Sequence, residues 1–347
     1  MVDELRRKIL KGALAGTALL LGHPLISSSI FKEKESVYGM NLTRRFGKGR
    51  IVDEGLFEFF DYANIKDFII HLGIFQKTKY SNEIKEYNEC NGFFLENKYI
   101  FDLIENIKIK KGRITIAPAV YIPGDKEWLS SKWRGDIEPN NFSVWFKNYE
   151  EILMNYIKLT KKFKPEAFSV GVELNTMERF TNNWENLITK IRKEFNGKIT
   201  YCANWDSYEN LKFVDSLDYA SISAYFPLRD KNEVLTLEGL INSWRIIGDN
   251  LKKFKKETNK NVVFGEIGYR NAKDASTLHE VNLDIEDNFE QRLCYKALNY
   301  AIKNNILPVS KAYLWVDNTS DINKLNRVSN SIFGKPVEQD IIQYSRG

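Results

Sequence analysis

The 347-residue sequence contains little cysteine and little histidine, with three residues of each, spread widely along the chain. None of Cys90, Cys202 and Cys294 forms a Cys-x-x-Cys pair, so a zinc site of that kind is not predicted. An odd and sparse set of cysteines also argues against a framework of disulfide bonds. We therefore expect neither a metal centre nor a Cys/His catalytic pair.

The sequence also lacks a strong excess of charge of one sign. The formal net charge is only +5, and residues 1–30 supply +2 of it. In the remainder lysine and glutamate are interspersed, without the basic stripe that nucleic-acid binders present. Lysine-rich patches such as residues 252–256 are interpreted as solvated helix faces. A nucleic-acid partner is not predicted.

No apolar run is long enough to span a bilayer comfortably. The nearest candidate lies in residues 1–30, where a basic head precedes about eleven apolar or small residues. Arg6 and Arg7 at that head resemble a bacterial twin-arginine export signal, although Ser or Thr is missing before the pair and Ile9 replaces the usual Phe.

The alternative for residues 1–30 is the amphipathic N-terminal helix of a cytoplasmic protein, which the glycines in this segment disfavour. We predict an exported protein, periplasmic or extracellular. Its N-terminal segment is either removed or kept as a membrane anchor, and membrane contact is expected only through that segment.

Aromatic residues, by contrast, are abundant, with 7 Trp, 17 Tyr and 22 Phe. Flat rings suit the apolar faces of sugars, although most of these rings are expected in an ordinary aromatic core. Hydrophobic residues make up 43% of the chain, which is enough for a core of considerable size. The aromatic content therefore permits a sugar site without requiring one.

Beyond residue 36, short continuous apolar runs alternate with segments of helical periodicity. Continuous rather than alternating apolar residues are typical of strands buried on both faces. Eight strands are predicted, at residues 37–43, 68–75, 114–120, 168–174, 199–205, 219–225, 262–269 and 312–317. Apolar residues at helical spacing fill several gaps, as in residues 145–163 and 240–254. The pattern predicts an α/β fold, a single-domain (β/α)8 TIM barrel over residues 31–347.

Two glutamates stand near the ends of predicted strands four and seven. Glu173 lies in the run 168–174 and Glu266 in the run 262–269. A carboxylate there is costly to bury unless it is hydrogen-bonded, paired or at the open end of a strand. Strands four and seven are nearly opposite in such a barrel, and strand carboxyl ends line its catalytic mouth. The pair is predicted to flank one glycosidic bond. The alternative for each is a helix N-cap or a buried ion pair.

Other polar and aromatic residues end neighbouring strands. Tyr225 ends strand six, where its phenol could hydrogen-bond the carboxylate on strand seven. Asn204 and Trp205 end strand five, and Trp315 lies near the end of strand eight. Indole rings at a barrel mouth suit sugars, with core packing as the alternative.

The longest irregular stretch, residues 121–141, follows strand three and contains Trp133 and Arg134. A long loop at the mouth of a barrel is usually functional. Arg134 could bind a sugar hydroxyl or hold a catalytic glutamate.

In this order and spacing, residues 171–174, 201–205, 222–228 and 264–270 resemble glycoside hydrolase family 113. Residues 133–149, and Gln291 with Tyr295, extend the resemblance, which covers about residues 37–340. This family is a (β/α)8 group in a clan of retaining β-glycanases, and its known activity is β-1,4-mannanase.

The resemblance implies that Glu173 is the acid/base and Glu266 the nucleophile of a retaining glycoside hydrolase. The implied substrate is a β-linked polysaccharide or oligosaccharide, β-1,4-mannan first, cleaved by double displacement without metal or organic cofactor. The residues implied to line the sugar site are Trp133, Arg134, Asn204, Trp205, Tyr225, Tyr269 and Trp315.

The sequence departs from the family pattern at two places. Val172 stands before Glu173, where the family usually has Thr and the wider clan Asn. Ala119 and Tyr121 stand where His and Asp are expected after the third strand. Both departures concern sugar specificity more than hydrolysis. A barrel that binds glycan without cleaving it, for envelope assembly, and a transglycosylase are the alternative functions.

Overall fold

Eight parallel strands close into a barrel in the computed structural model, which describes residues 35–43, 54–86, 97–123, 131–277, 281–317 and 328–346. In chain order the strands are β1 (Tyr38–Thr43), β2 (Asp67–Gln76), β3 (Arg113–Pro123), β4 (Ala167–Val172), β5 (Lys198–Asn204), β6 (Ala220–Ser223), β7 (Val262–Ile267) and β8 (Val309–Asp317). Each pairs with the next, and β8 pairs with β1 to close the ring. The predicted (β/α)8 fold is confirmed. The predicted export segment, residues 1–30, lies outside the described residues.

The helices of the described residues are α1 (Glu54–Tyr62), α2 (Asn97–Ile109), α3 (Phe142–Thr160), α4 (Thr181–Glu194), α5 (Leu237–Thr258), α6 (Asn288–Lys303) and α7 (Val337–Arg346). Side chains cap several of them, as when Asn141 accepts the N–H of Val144 and so satisfies an unpaired donor of α3. None of these helices combines the length and the apolarity needed to cross a bilayer. The periodicity at residues 145–163 corresponds to α3, which ends at Thr160 and continues as a 3₁₀ turn.

Continuous burial explains the apolar runs of the strands. Every residue of β4 and β7 is buried, because the barrel interior covers one face and the helices cover the other. The fully buried side chains of Trp145, Trp184 and Trp244 come from α3, α4 and α5. By analogy with large-to-small core substitutions, truncating one of them would cost about 3–5 kcal/mol.

Short antiparallel strands extend the barrel near the carboxyl ends of its strands. Ile84–Glu86 pairs with β2, and Ser131–Lys132 pairs with the end of β3. After β7, Ala272–Lys273 and Asn282–Glu286 form a separate two-stranded sheet. Part of the predicted irregular stretch after β3 is therefore ordered, and a 3₁₀ turn at Arg134–Asp136 follows there. The segment that carries Trp133 and Arg134 is therefore attached to the barrel by the strand immediately before it.

Candidate active site

Glu173 leaves β4 through an unusual backbone conformation. The strand ends at Val172, and Glu173 has a φ of 49°, in the left-handed region that residues other than glycine seldom adopt. Its N–H donates to the carbonyl of Cys202 on β5 at 2.8 Å. The residue is only 8% exposed. The chain therefore turns at Glu173, immediately after β4, at the end of the barrel where the strands terminate.

Arg134 brings a positive charge to this carboxylate. Its Nη1 lies 3.6 Å from Oε2 of Glu173, which is close for two charges but too long for a hydrogen bond. The guanidinium carbon lies 5.7 Å from the ring centroid of Tyr121, within the range of a cation–π contact. Tyr121, one of the departures from the family pattern, thus supports the arginine beside the predicted acid.

Glu266 lies on β7 and is only 4% exposed. Its Oε2 accepts a hydrogen bond from the phenol of Tyr225 at 3.3 Å. The indole N–H of Trp315 on β8 donates in turn to the oxygen of Tyr225. Tyr225, which follows β6, and Trp315, which lies on β8, therefore orient Oε2 of Glu266 on β7, the strand between them.

His71 and Asn41, on β2 and β1, meet the other side of Glu266. The amide nitrogen of Asn41 donates to the carbonyls of Gly265 and Tyr313, so its Oδ1 is left as an acceptor. His71 Nε2 lies 3.0 Å from that Oδ1 and must therefore carry a hydrogen. The same nitrogen is 3.8 Å from Oε1 of Glu266.

His71 is neutral in this environment. Burial, together with the charge of Arg134, lowers the pKa of His71 to about 3. Its ring stacks on Trp315 with centroids 5.5 Å apart, which leaves little freedom to rotate. His71 therefore lies beside Glu266 as a neutral ring whose Nε2–H donates to Asn41, and it brings no positive charge to that carboxylate.

The two glutamates belong to one electrostatic system. Burial, and then the charge of Glu173, raise the pKa of Glu266, while Arg134 and the hydrogen bond from Tyr225 lower it. The net direction is upward. Since two like charges in a buried site oppose each other, the pair resists losing both of its protons.

Two polar atoms of the site have no hydrogen-bond partner among the described residues: Oε1 of Glu266 and Nη1 of Arg134. A buried polar atom without a partner costs about 1–3 kcal/mol, so it is usually matched by a ligand or by water. One atom accepts and the other donates. A ligand rich in hydroxyl groups can satisfy both.

The structure places the two predicted residues of β5 somewhat differently. The amide of Asn204 donates to Asp206 Oδ1 at 2.9 Å, so it is already engaged within its own loop. Trp205 packs edge-to-face on Phe226 with centroids 5.9 Å apart. Both lie at the barrel mouth, and neither has a hydrogen bond to Glu173 or Glu266 among the described contacts.

Trp133 and Tyr269 occupy opposite extremes of exposure. Trp133 is 44% exposed, and its ring covers Gly135, where an added Cβ would overlap the indole. Tyr269 is buried and packs edge-to-face on Tyr295 at 5.4 Å. The site therefore gathers Glu173, Glu266, Arg134, Tyr225 and Trp315, with Trp133 at its rim and Tyr269 in the packing beside it.

His71 and Asn41 were not predicted to belong to the site. The signal was present, because each is a polar side chain inside an apolar strand run, as the two glutamates are. Nothing in the sequence shows that β1 and β2 direct these polar groups at β7. Within the described ranges, no group of three or more His, Cys, Asp or Glu side chains could hold a metal ion.

The profile of glycoside hydrolase family 113 matches residues 53–319. A β-1,4-mannanase of that family superposes with a TM-score of 0.75 at 23% identity, covering 90% of this chain and 100% of its own. A β-mannanase from Alicyclobacillus acidocaldarius, in complex with ManMIm, gives 0.72 at 20% identity, covering 91% of this chain and 99% of its own. At this identity the superpositions demonstrate the fold. Comparison with curated protein sequences gave no match.

Proposed function

The chain belongs to glycoside hydrolase family 113 and is a glycoside hydrolase, and we propose that it is a retaining β-mannanase with Glu266 as nucleophile and Glu173 as acid/base. This proposal is carried by two buried carboxylates, Glu173 after β4 and Glu266 on β7. They interact electrostatically with each other and with Arg134. The classes of glycosidase that use two carboxylates need such a pair on either side of the scissile bond.

In the first step the ionised Glu266 attacks the anomeric carbon of the sugar. An ester bond forms between the carboxylate and that carbon while the glycosidic C–O bond breaks. Glu173 transfers its proton to the departing oxygen, so the leaving sugar is released as an alcohol. The products of this step are a glycosyl-enzyme on Glu266 and an ionised Glu173.

In the second step Glu173 acts as a base. It takes a proton from water, whose oxygen bonds to the anomeric carbon as the ester bond to Glu266 breaks. Glu266 leaves as a carboxylate and Glu173 is protonated again. Two displacements at the same carbon retain the anomeric configuration.

The neighbours of Glu266 would support its charge. The hydrogen bond from Tyr225 and the charge of Arg134 lower the pKa of Glu266, whereas burial raises it. Nε2 of His71, which donates to Asn41, lies 3.8 Å from the second carboxylate oxygen without a hydrogen bond to it. The mechanism requires that Tyr225 and Arg134 keep Glu266 ionised when Glu173 holds the proton, and a pH profile tests this requirement directly.

The substrate is proposed from the similar structures, which include β-1,4-mannanases. The exposed ring of Trp133 at the rim suits the apolar face of a sugar. Hydrolysis of β-1,4-mannan, β-1,4-glucan and β-1,4-galactan would be compared by the reducing ends released. Activity on mannan well above the others is expected, with Glu266→Ala as the blank. Preference for glucan or galactan would contradict the assignment of the sugar but not the mechanism.

The nucleophile is tested with a 2-deoxy-2-fluoro-β-mannoside that carries a good leaving group. Mass spectrometry of the digested protein is expected to find the fluoro-sugar on the peptide containing Glu266. The Glu266→Ala variant is the control and should stay unlabelled. Turnover with inverted anomeric configuration, followed by NMR, would contradict the double displacement.

Export remains a proposal that rests on residues 1–30 alone. Replacing both Arg6 and Arg7 by lysine is expected to leave the protein in the cytoplasm if the twin-arginine interpretation is right. Cell fractionation with the unaltered chain as control measures this. Unchanged export of the double variant would contradict the twin-arginine route.

A further inference from the structure

Another buried carboxylate, Glu178, lies five positions after the predicted acid. It belongs to the 3₁₀ segment Asn175–Arg179 and is buried. Its Oε1 accepts a hydrogen bond from the phenol of Tyr201 at 2.9 Å. The same phenol oxygen accepts the N–H of Leu174 at 2.8 Å. A continuous chain of hydrogen bonds thus joins Glu178 to the residue immediately after Glu173.

The ring of Tyr201 is held firmly in this position. Trp184 and Phe213 meet it nearly edge-on, with centroids 5.4 Å and 5.3 Å away. On the β4 side, a Cβ added to Gly171 would lie only 2.7 Å from the Tyr201 ring. A glycine is therefore required two residues before Glu173, because the tyrosine packs directly on the strand.

These contacts fix the backbone on both sides of Glu173. The N–H of Glu173 donates to the carbonyl of Cys202, and the N–H of Leu174 donates to Tyr201. The two peptide planes that flank the Cα of Glu173 are thereby both oriented. A left-handed φ of 49° at a glutamate persists only where surrounding contacts hold it. The direction in which the carboxylate leaves the strand follows from that conformation.

The choice of a carboxylate at position 178 is costly for folding. Burial raises the pKa of Glu178 to about 7, although the hydrogen bond from Tyr201 opposes the shift. A neutral amide would accept the same hydrogen bond without a buried charge. What the phenol of Tyr201 needs at this position is a hydrogen-bond acceptor, not a negative charge.

We propose that Tyr201 and Glu178 are positioning residues that hold the backbone turn of Glu173 and so aim its carboxyl group at the departing sugar oxygen. This inference rests on the proposed function, because it assumes that Glu173 is the acid. The phenol orients the peptide after Glu173, and Glu178 orients the phenol. Neither side chain needs to touch the sugar.

The test uses the full chain and two β-mannosides, one with a dinitrophenyl leaving group and one unactivated oligosaccharide. Tyr201→Phe removes the phenol oxygen, and Glu178→Leu removes the acceptor while keeping the volume. For both we expect kcat/KM on the oligosaccharide to fall about 10–100-fold, as a small misplacement of a catalytic group does. On the dinitrophenyl substrate the loss should stay within about threefold, because that leaving group needs little help from an acid.

Two further variants separate positioning from general damage. Glu178→Gln keeps an acceptor and is expected to stay within about threefold of the unaltered enzyme on both substrates. Tyr149→Phe removes another buried phenol, one that donates to the carbonyl of Val170 on β4 at 2.9 Å. It should affect both substrates equally, since its bond does not reach the turn of Glu173.

Equal losses on the two substrates for Tyr201→Phe and Glu178→Leu, or no loss, would overturn the positioning role. If Tyr201→Phe does not fold, Glu178→Leu against Glu178→Gln decides alone. The reference is Glu173→Gln on the same substrate pair. If that variant shows no dependence on the leaving group, the acid assignment itself fails. If it shows the dependence and the Tyr201 and Glu178 variants do not, only the positioning inference fails.

Discussion

The two ends of the barrel treat charge in opposite ways. At the amino ends of the strands, Asp67 accepts two hydrogen bonds from Arg113, at 2.7 and 2.8 Å, and lies 2.6 Å from the ammonium of Lys311. At the carboxyl ends, Arg134 approaches Glu173 only to 3.6 Å, without a hydrogen bond. Oε1 of Glu266 has no hydrogen-bond partner among the described residues.

The charges at the amino ends of the strands stabilise the fold, whereas those at the carboxyl ends are available for chemistry. Charge pairs with short hydrogen bonds at strand starts tie β2, β3 and β8 together, and their partners stay matched whether or not a substrate binds. The charges at the mouth are buried with incomplete pairing, which costs stability and leaves capacity for a ligand. The comparison predicts that variants at the two ends have separable effects, one on folding and the other on turnover.

The largest effect is expected at the mouth. Glu266→Ala should lower kcat on the order of 10⁵-fold, because the change removes the proposed nucleophile. Its melting temperature should be unchanged or raised, since a buried carboxylate with an unpaired oxygen is removed. Steady-state kinetics and calorimetry measure both quantities. Turnover at the level of the unaltered enzyme would end the nucleophile assignment.

Glu173→Gln should show a smaller loss that depends on the substrate. On unactivated oligosaccharides kcat/KM is expected to fall about 10²–10⁴-fold, because proton donation to the leaving oxygen is lost. The first step on a dinitrophenyl glycoside should be nearly unaffected, and a burst of released phenol would report it. Equal losses on both substrates would count against the acid role.

The matched change at the other end is Asp67→Asn. It removes the charge that pairs with Arg113 and Lys311, and the free energy of unfolding should fall by about 2–3 kcal/mol. The kcat of the folded enzyme should stay within about twofold, as measured at a temperature where both proteins are folded. A large loss of kcat without a loss of stability would break the division between the two ends.

The stabilising effect of Asp67 should depend on pH, and the direction of that dependence can be tested with Asp67→Asn. Burial acts to raise the pKa of Asp67, but the hydrogen bond from Arg113 and the charge of Lys311 prevail and lower it. A lowered folded-state pKa contributes stability above the unfolded value, and that contribution is lost as pH falls through the folded value. The stability difference between the two proteins should therefore shrink in acid. Denaturant titrations at neutral and acidic pH measure it.

The smallest predicted effect is a displacement of the pH profile. In the proposed mechanism Glu266 must be ionised to attack. Because burial and the charge of Glu173 raise the pKa of Glu266, the acidic limb of kcat/KM should lie at a pH above the usual carboxyl range. In Glu173→Gln one of these two causes is removed. On a dinitrophenyl glycoside the acidic limb should then move to lower pH. A limb that stays in place or moves upward would show that the two carboxyl groups do not interact.

Much of the fold was predictable because strands buried on both faces leave continuous apolar runs. All eight predicted strands are present, with ends displaced by a few residues, as at β8, which begins at Val309 rather than at residue 312. The helices α1, α2 and α7 were not predicted from periodicity. The sequence showed which strands carry the glutamates, and strand order then placed them at one mouth.

The finer geometry of the site was less accessible. Asn204 was predicted to line the sugar site, and that stays a prediction; the hydrogen bond from its amide to Asp206, two residues further along the loop, was not predicted. The pairing of His71 with Asn41 depends on the neighbouring positions of β1 and β2 and on which amide group of Asn41 remains free. These hydrogen bonds depend on residues that are distant in sequence, so no local sequence pattern predicts them.

Local sequence was sufficient for the barrel, its strand count and the two carboxylates at strand ends, because burial and period are properties of a short run of residues. Only folding in three dimensions set the state of those carboxylates. The left-handed turn of Glu173, its arginine neighbour and the raised pKa of Glu266 all arise from groups on other strands and loops. Electrostatic and hydrogen-bond energies depend on distances between atoms, and those distances exist only when the ring of strands is closed.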